Sequence, residues 1–334
     1  MDQSPRSAFL SLDIGAAEHA FCFEDGNTSK AGKVDSAPEE VRRFIASKVR
    51  KDRPLRVIME ATGIYYLDAA VIAAELGAEV FVVNPKAAHN FAKALQQRSK
   101  TDALDAAMLL EFVKRMPLKR WTPPSQSHLA LRYYGRYLTQ LTEDCTAAKN
   151  RLHALSSTQA CPKALRTDMQ RAIAGLERRI DRLRGEAVEL IREDPDLQSM
   201  FEALISMVGV AETSAVSLLG ELAVLPRDMS ARACVCHAGL DVRVFESGSS
   251  LAKAPRITRH GNKYLRRALF HPALVAGRHD PYARAFKERL IARGKKKMQA
   301  NVAVMRKLLT AAWTLVKSPE KYDGSRLFPS QEIA

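Results

Sequence analysis

The chain of 334 residues carries 52 Lys plus Arg against 37 Asp plus Glu, a net charge of +15, with 46% hydrophobic and 27% charged residues. That length suggests two domains, each able to bury a core, and the composition excludes a disordered or fibrous chain. The longest apolar stretch, Val57 to Leu76, is interrupted by Glu60, Asp68 and Glu75, so no membrane span of roughly 20 uncharged residues is expected.

The acid at position 2 and the short apolar run behind it argue against a secretory signal. Phe9 to Leu12 reads as a strand ending at Asp13-Ile-Gly15. His19 to Glu24 reads as its hairpin partner, turning at Asp25-Gly26-Asn27. Pro38 to Lys51 reads as a helix capped by Ser36, with Glu39 and Glu40 in its first turn. Leu55 to Met59 is a buried-type strand ending at Glu60, Tyr65 to Leu76 a helix closed by Gly77, and Glu79 to Val83 another strand. This alternation predicts an α/β layer with a mostly parallel sheet, whose sites gather at the carboxyl ends of strands. Asp13 and Glu60 each stand at such an end.

The texture changes after Trp121-Thr-Pro-Pro124. Leu131, Tyr134, Leu138, Leu141, Cys145, Ala148, Leu152 and Leu155 recur at steps of three and four, and so do Met169, Ile173, Leu176, Ile180, Leu183, Ala187 and Leu190. These heptad-like stripes predict two long coiled-coil helices, packed as a hairpin or against another subunit, ending near Asp194-Pro195. The expected organisation is an α/β domain over 1–122, a helical coiled-coil segment over 123–195 and a mainly α domain over 196–334. In the last, Gly209 lies between two short helical patterns, either a helix-hairpin-helix whose turn faces phosphate or a plain corner. Residues 241–262 read as an exposed loop, followed by amphipathic helices around 262–277 and 299–317.

Charge is concentrated at the end. Residues 251–334 hold nineteen Lys and Arg against five acids, a net of +14, and the first 250 residues are nearly neutral. Such a field favours a polyanion, nucleic acid before a membrane surface. Lys253, Arg256, Arg259, Lys263, Arg266 and Arg267 are candidate phosphate contacts, with Arg256, Arg259, Lys263 and Arg267 as a cationic ridge at steps of three or four. Lys295, Lys296 and Lys297 form a second patch, suited to clamping the backbone. The five cysteines (Cys22, Cys145, Cys161, Cys234, Cys236) lack C-x-x-C spacing, which predicts free thiols in a reducing cytosol, with Cys234 and Cys236 as small buried residues.

Lys100-Thr-Asp102-Ala-Leu-Asp105-Ala puts two carboxylates at i and i+3 if a helix follows. A helix dipole alone would welcome acids there. With Asp13 and Glu60 they make a quartet that Mg²⁺ could neutralise, a chemical match for two-metal phosphoryl transfer. Asp13-Ile-Gly15 also opens actin-like ATPases and sugar kinases, but a second glycine-rich phosphate loop is missing here. Ser247, in Phe245-Glu-Ser-Gly-Ser-Ser250, is either an ordinary loop serine or a nucleophile toward phosphorus.

Together Leu12-Asp13, Met59-Glu-Ala-Thr-Gly63, Val83-Asn-Pro85, Lys100-Thr-Asp-Ala-Leu-Asp-Ala106 and the distal Gly239-Leu, Glu246-Ser-Gly-Ser-Ser250, Gly261-Asn and Leu265-Arg-Arg267 form a specific pattern. Over nearly its whole length the chain resembles the DEDD-type insertion-sequence transposases, the bridge-RNA-guided recombinases, to which the Piv-type DNA invertases are related. The resemblance implies a RuvC-like (RNase H-like) α/β domain holding two Mg²⁺ ions on Asp13, Glu60, Asp102 and Asp105. It also implies a C-terminal transposase domain in which Ser247 attacks DNA, beside the acidic site of a neighbouring subunit. Donor and target DNA, a structured guide RNA, a homo-oligomer (dimer or tetramer) and a cytoplasmic location are implied as well. Ser249 and Ser250 stay open as partners or substitutes for Ser247. One departure is visible: the lysine that family members often carry just after the first Asp is absent from Asp13-Ile-Gly-Ala-Ala-Glu18. A RuvC-type hydrolytic nuclease or junction resolvase, a Piv-like invertase, and a nucleic-acid scaffold without nuclease activity are the alternatives.

Overall fold

The computed structural model describes residues 7–26, 28–61, 63–95, 101–247 and 251–328, giving the backbone alone for 244–247 and 251–255. The chain forms two compact units, Met1–Pro123 and Pro124–Ala334.

In the first unit, β1 (Ala8–Ile14), β2 (Glu18–Asp25) and β3 (Thr28–Asp35) form an antiparallel meander. Helix α1 (Pro38–Ala46) leads to β4 (Leu55–Glu60), α2 (Tyr66–Glu75) and β5 (Glu79–Val83), and the five strands lie in the order β3-β2-β1-β4-β5. Only β1, β4 and β5 are parallel. The sheet is therefore mixed, where the sequence predicts a mostly parallel one. The strand that escapes sequence reading is β3: Thr-Ser-Lys-Ala-Gly-Lys-Val-Asp is almost wholly exposed, a polar edge strand with no apolar alternation to announce it. Ser36 does not cap α1. Its Oγ donates to Ala16 O at 3.0 Å, and the helix stops at Ala46, short of Lys51.

The two sheet faces are covered differently. Leu10, Leu12, Val57, Met59 and Val80 are fully buried, with α1 and α2 packed on the sheet. Helix α3 (Pro85–Ala94), capped by Asn84, and α4 (Asp102–Arg115), capped by Thr101, follow. α4 buries Ala106, Met108, Leu109, Leu110, Phe112 and Val113 against Ala20, Cys22, Ile58, Phe81 and Val83.

The second unit opens on two helices of 31 residues, α5 (Gln126–Ser156) and α6 (Lys163–Glu193). They run antiparallel: Tyr134 Oη donates to Glu186 at 3.2 Å, and Lys149 pairs with Glu177 at 2.7 Å. Leu131, Leu138, Ala187 and Ile191 share one core with α7 (Pro195–Ile205), α8 (Glu212–Leu222) and α9 (Ala231–His237). Most of the segment expected as a loop, where described, is strand. It builds the antiparallel hairpin β6 (Val242–Ser247) and β7 (Leu251–Ile257). Then come α10 (Lys263–His279), α11 (Pro281–Ala292), which the sequence reading omits, and α12 (Lys297–Lys317). Trp313 of α12 is buried and donates to Met229 O at 2.9 Å.

Gly209 adopts φ +92°, and a Cβ there would stand 2.7 Å from Pro272 O of α10. The α7–α8 turn is thus pressed onto a neighbouring helix backbone, as a packing corner requires. All five cysteines are free; Cys234 is buried, which pushes its thiol up to about 12, but Cys236 is exposed, against expectation. Among the described residues, no helix is long and apolar enough to cross a membrane.

Candidate active site

Sheet register decides where the acids go. Ser11 pairs with Cys22 across β1–β2 and with Ile58 across β1–β4, and Cys22 and Ile58 both pack under α4. Side chains alternate along a strand, so Asp13 and Glu60, each two residues further on, share that face. They follow the register pair Leu12 and Met59, at the carboxyl ends of adjacent parallel strands.

The direction of α4 brings the other two acids to the same end. Ser11 Oγ donates to Ala106 O at 2.6 Å, near the helix start, and Lys114 near its end pairs with Glu24, opposite Phe9. α4 therefore runs antiparallel to β1, and its first turn, with Asp102 and Asp105, lies toward the strand ends. Asp102 is exposed; Asp13, Glu60 and Asp105 are half-buried.

Ser11 is a residue that sequence reasoning misses. Fully buried, one residue before Leu12-Asp13, it ties β1 to the carbonyl next to Asp105. A lone small polar residue inside an apolar strand is the only signal it leaves in the sequence.

The donor set is all carboxylate oxygen, which suits a hard cation such as Mg²⁺. Among the described residues, however, no three His, Cys, Asp or Glu side chains are grouped to hold an ion. The backbone brings the acids to one sheet end, while their side chains do not close into a ligand set.

Of the serine motif, Glu246 and Ser247 are the last residues of β6. Ser247 is opposite Leu251, and its side chain is not among those described; Gly248, Ser249 and Ser250 lie outside the described residues. The glycines on either side of the hairpin have a structural reason. Gly239 and Gly261 adopt φ +65° and +123°, and a Cβ on either would fall within 2.4 Å of a backbone oxygen, His260 O or His237 O. Thr258 Oγ1 donates to Asp241 Oδ1 at 2.6 Å, and Asn262 N to His237 O at 2.7 Å, closing the hairpin base onto α9 and α10.

Beneath this junction lies Glu221 of α8, 2% exposed. Arg136 Nε donates to it at 2.5 Å and Asn262 Nδ2 at 2.6 Å, with Arg132 Nε 3.4 Å away. Asn262 Oδ1 meanwhile caps α10. Burial alone would push the Glu221 carboxyl up, but Arg136 and Arg132 with Asn262 hold it below its ordinary 4.5. A depressed carboxylate stabilises the fold above its unfolded pKa, and that contribution is lost as pH falls through the lower folded value. Glu221→Gln leaves two arginines without their buried counter-charge and is expected to cost about 3–5 kcal/mol in urea unfolding. A loss under about 1 kcal/mol would contradict this role.

The basic residues do not form the expected ridge. Arg256 sits on β7, Arg259 in the following turn at φ 54°, and only Lys263, Arg266 and Arg267 are on α10. The helical spacing is broken by the hairpin. Arg266 Nη1 donates to Ala238 O at 2.7 Å, and burial with neighbouring Arg259 lowers its pKa, so this side chain fastens the junction. Arg267 pairs with Glu143, and Lys263 lies 5.2 Å from the Tyr264 ring centre. Arg256 and Arg259 are exposed, and the Lys253 side chain is not described. Lys295, Lys296 and Lys297 are exposed at the start of α12, where the helix dipole disfavours cations, so helix stability does not explain them.

Comparison with known proteins places the chain among transposases. Residues 10–158 match the model of DEDD-type IS110 transposases, described as "Transposase", and residues 201–288 match "Transposase IS116/IS110/IS902 family". The pilin gene-inverting proteins of Moraxella bovis and Moraxella lacunata are each 28% identical over 320 residues, covering 94% of this chain and 97% of the relative. The solved Thermus thermophilus RuvC structure aligns at 15% identity and TM-score 0.24, over 34% of this chain and 99% of that one; RuvC in complex with Holliday junction substrate aligns equally. The two transposase models together match more than two thirds of the sequence, and the chain belongs to the IS110/IS116/IS902 transposase family.

Proposed function

We propose that this transposase cuts and rejoins DNA by phosphoryl transfer, with Ser247 as nucleophile and Asp13, Glu60, Asp102 and Asp105 as the holders of two Mg²⁺ ions. The observation that supports the reading is the register and helix direction that set the backbone positions of the four acids toward one end of the first unit's sheet. Bound there, the ions would supply charge neutralisation and polarise phosphate oxygens. The serine Oγ would form a bond to phosphorus as the bond to the deoxyribose oxygen breaks. The serine proton is lost to a base or solvent, and the displaced oxygen leaves as a hydroxyl. Attack by the incoming strand's hydroxyl then reverses the step, so rejoining needs no ATP. Such a serine would act beside the acidic site of a neighbouring subunit in a dimer or tetramer.

The exposed cations Arg256, Arg259 and Lys263, with Lys295, Lys296 and Lys297, would hold DNA or RNA backbone. Site-specific inversion is the second reading, favoured by the near full-length match to proteins named for inverting a pilin gene. In both readings the protein works on DNA in the cytoplasm, and a structured RNA from the element's flanks supplies target choice. RNA that copurifies is expected to map to those flanks on sequencing; purification free of any defined RNA would overturn guidance. The catalytic reading is tested by trapping a protein–DNA adduct with Mg²⁺, taken up in the Discussion.

A further inference from the structure

The acid end of the first unit has an electrostatic difficulty. DNA brings one negative charge per about 1.7 Å of helix axis toward a place already lined by carboxylates. Metal ions offset part of that, and a fixed cation would offset more. The turn after Asp13 supplies none, for it reads Ile-Gly-Ala-Ala-Glu18.

The sheet register points to another source. Asp13 is directly opposite Ala20 on β2, and Ala20 is directly opposite Lys33 on β3. Directly opposed residues project to the same side of a sheet. Asp13, Ala20 and Lys33 therefore form one row on the α4 face, with β1 and β3 separated by about 10 Å, twice the strand spacing. The middle residue, Ala20, is small and buried against Ala106 of α4, the helix that carries Asp102 and Asp105. Lys33 is exposed and pairs with Glu18, which projects to the same face from β2. Its ammonium is also held above its ordinary pKa, chiefly by Glu18, with a smaller contribution from Asp102. The lysine is thus within reach of the field of Asp102 while remaining open to solvent. On an edge strand whose other side chains are mostly exposed, nothing in core packing calls for it.

We propose that Lys33 is a phosphate-binding residue of the acid site: its ammonium, resting on Glu18 in the free protein, takes a non-bridging oxygen of the DNA phosphodiester that enters beside Asp13 and Asp102. The inference rests on the reading of that site as the DNA-cutting centre. An ammonium is a compact point charge with three donors, suited to a phosphate oxygen whose exact approach varies. Glu18 holds the ammonium in the free protein, and DNA replaces that carboxylate with a phosphate as its partner.

The test uses the full chain, a labelled four-way DNA junction and Ca²⁺ in place of Mg²⁺, with affinity measured across a salt series. Lys33→Gln is expected to weaken binding at low salt and to reduce the log–log salt slope by about 0.7 to 0.9, the loss of one phosphate contact. Lys33→Arg should restore the slope, because charge at that place is what matters. Glu18→Gln should tighten binding by freeing the lysine. A slope for Lys33→Gln equal to that of the unaltered protein overturns the proposal, since a lysine that only balances Glu18 would leave it unchanged. Cleavage in Mg²⁺ is scored separately. A reduced slope without any cleavage by the unaltered protein would retain Lys33 as a phosphate contact and reject the cutting centre.

Discussion

Asp102→Asn is expected to reduce DNA cutting by at least about a hundredfold while changing DNA affinity less than twofold. Asp102 is the first residue of α4 and is exposed, so its carboxylate contributes little to packing. Asparagine keeps its shape and tolerates helix starts; the lost dipole interaction is worth only about 0.3–1 kcal/mol. What asparagine removes is one negative oxygen from a set that must hold divalent cations. A single charge-stabilising group lost from a site of this kind typically lowers turnover by roughly 10² to 10³. Binding should survive, because most of the net positive charge lies in residues 251–334. Cutting of a labelled DNA with Mg²⁺ and a parallel binding titration separate the two effects. Retention of more than about a third of the activity would mean that Asp102 holds no metal.

The elements that carry the candidate acids were legible in the sequence because their signals are local. A strand that ends in Asp or Glu, and a capped helix start with acids three apart, can each be read within a dozen residues. Asp13, Glu60, Asp102 and Asp105 are placed on the elements so predicted. Their placement toward one end of the sheet depends on register and helix direction, which the sequence does not state; Ser11 and its bond to Ala106 O are part of that arrangement. Polar edge strand β3 left no periodic signal, and Lys33 was invisible with it. Around Ser247 the glycine- and serine-rich composition suggested a loop, yet Val242 to Ile257 pair as a hairpin. The same composition hid the reason for Gly239 and Gly261, where backbones approach too closely for any Cβ. Arg266 illustrates the limit of charge counting, since one basic residue of a positive run fastens a carbonyl at 2.7 Å.

Ser247→Ala carries the other large effect. A serine that conserves phosphodiester energy must pass through a covalent serine–DNA ester, and alanine has no oxygen to form it. Loss of rejoining should therefore be complete, whereas loss of an assisting hydroxyl would be partial. Stability should change little, because Ser247 ends β6 while the hairpin base is held by Thr258, Asn262 and the Glu221 network. Variants at Ser249 and Ser250 distinguish the nucleophile from its neighbours, since only one alanine change can abolish the ester. The direct measurement is to incubate the protein with Mg²⁺ and DNA carrying the element's ends, then denature and look for protein that stays attached to DNA. A denaturation-resistant adduct that disappears in Ser247→Ala and fails to form in Asp102→Asn is expected; DNA cutting that persists undiminished in Ser247→Ala would rule out Ser247 as the nucleophile.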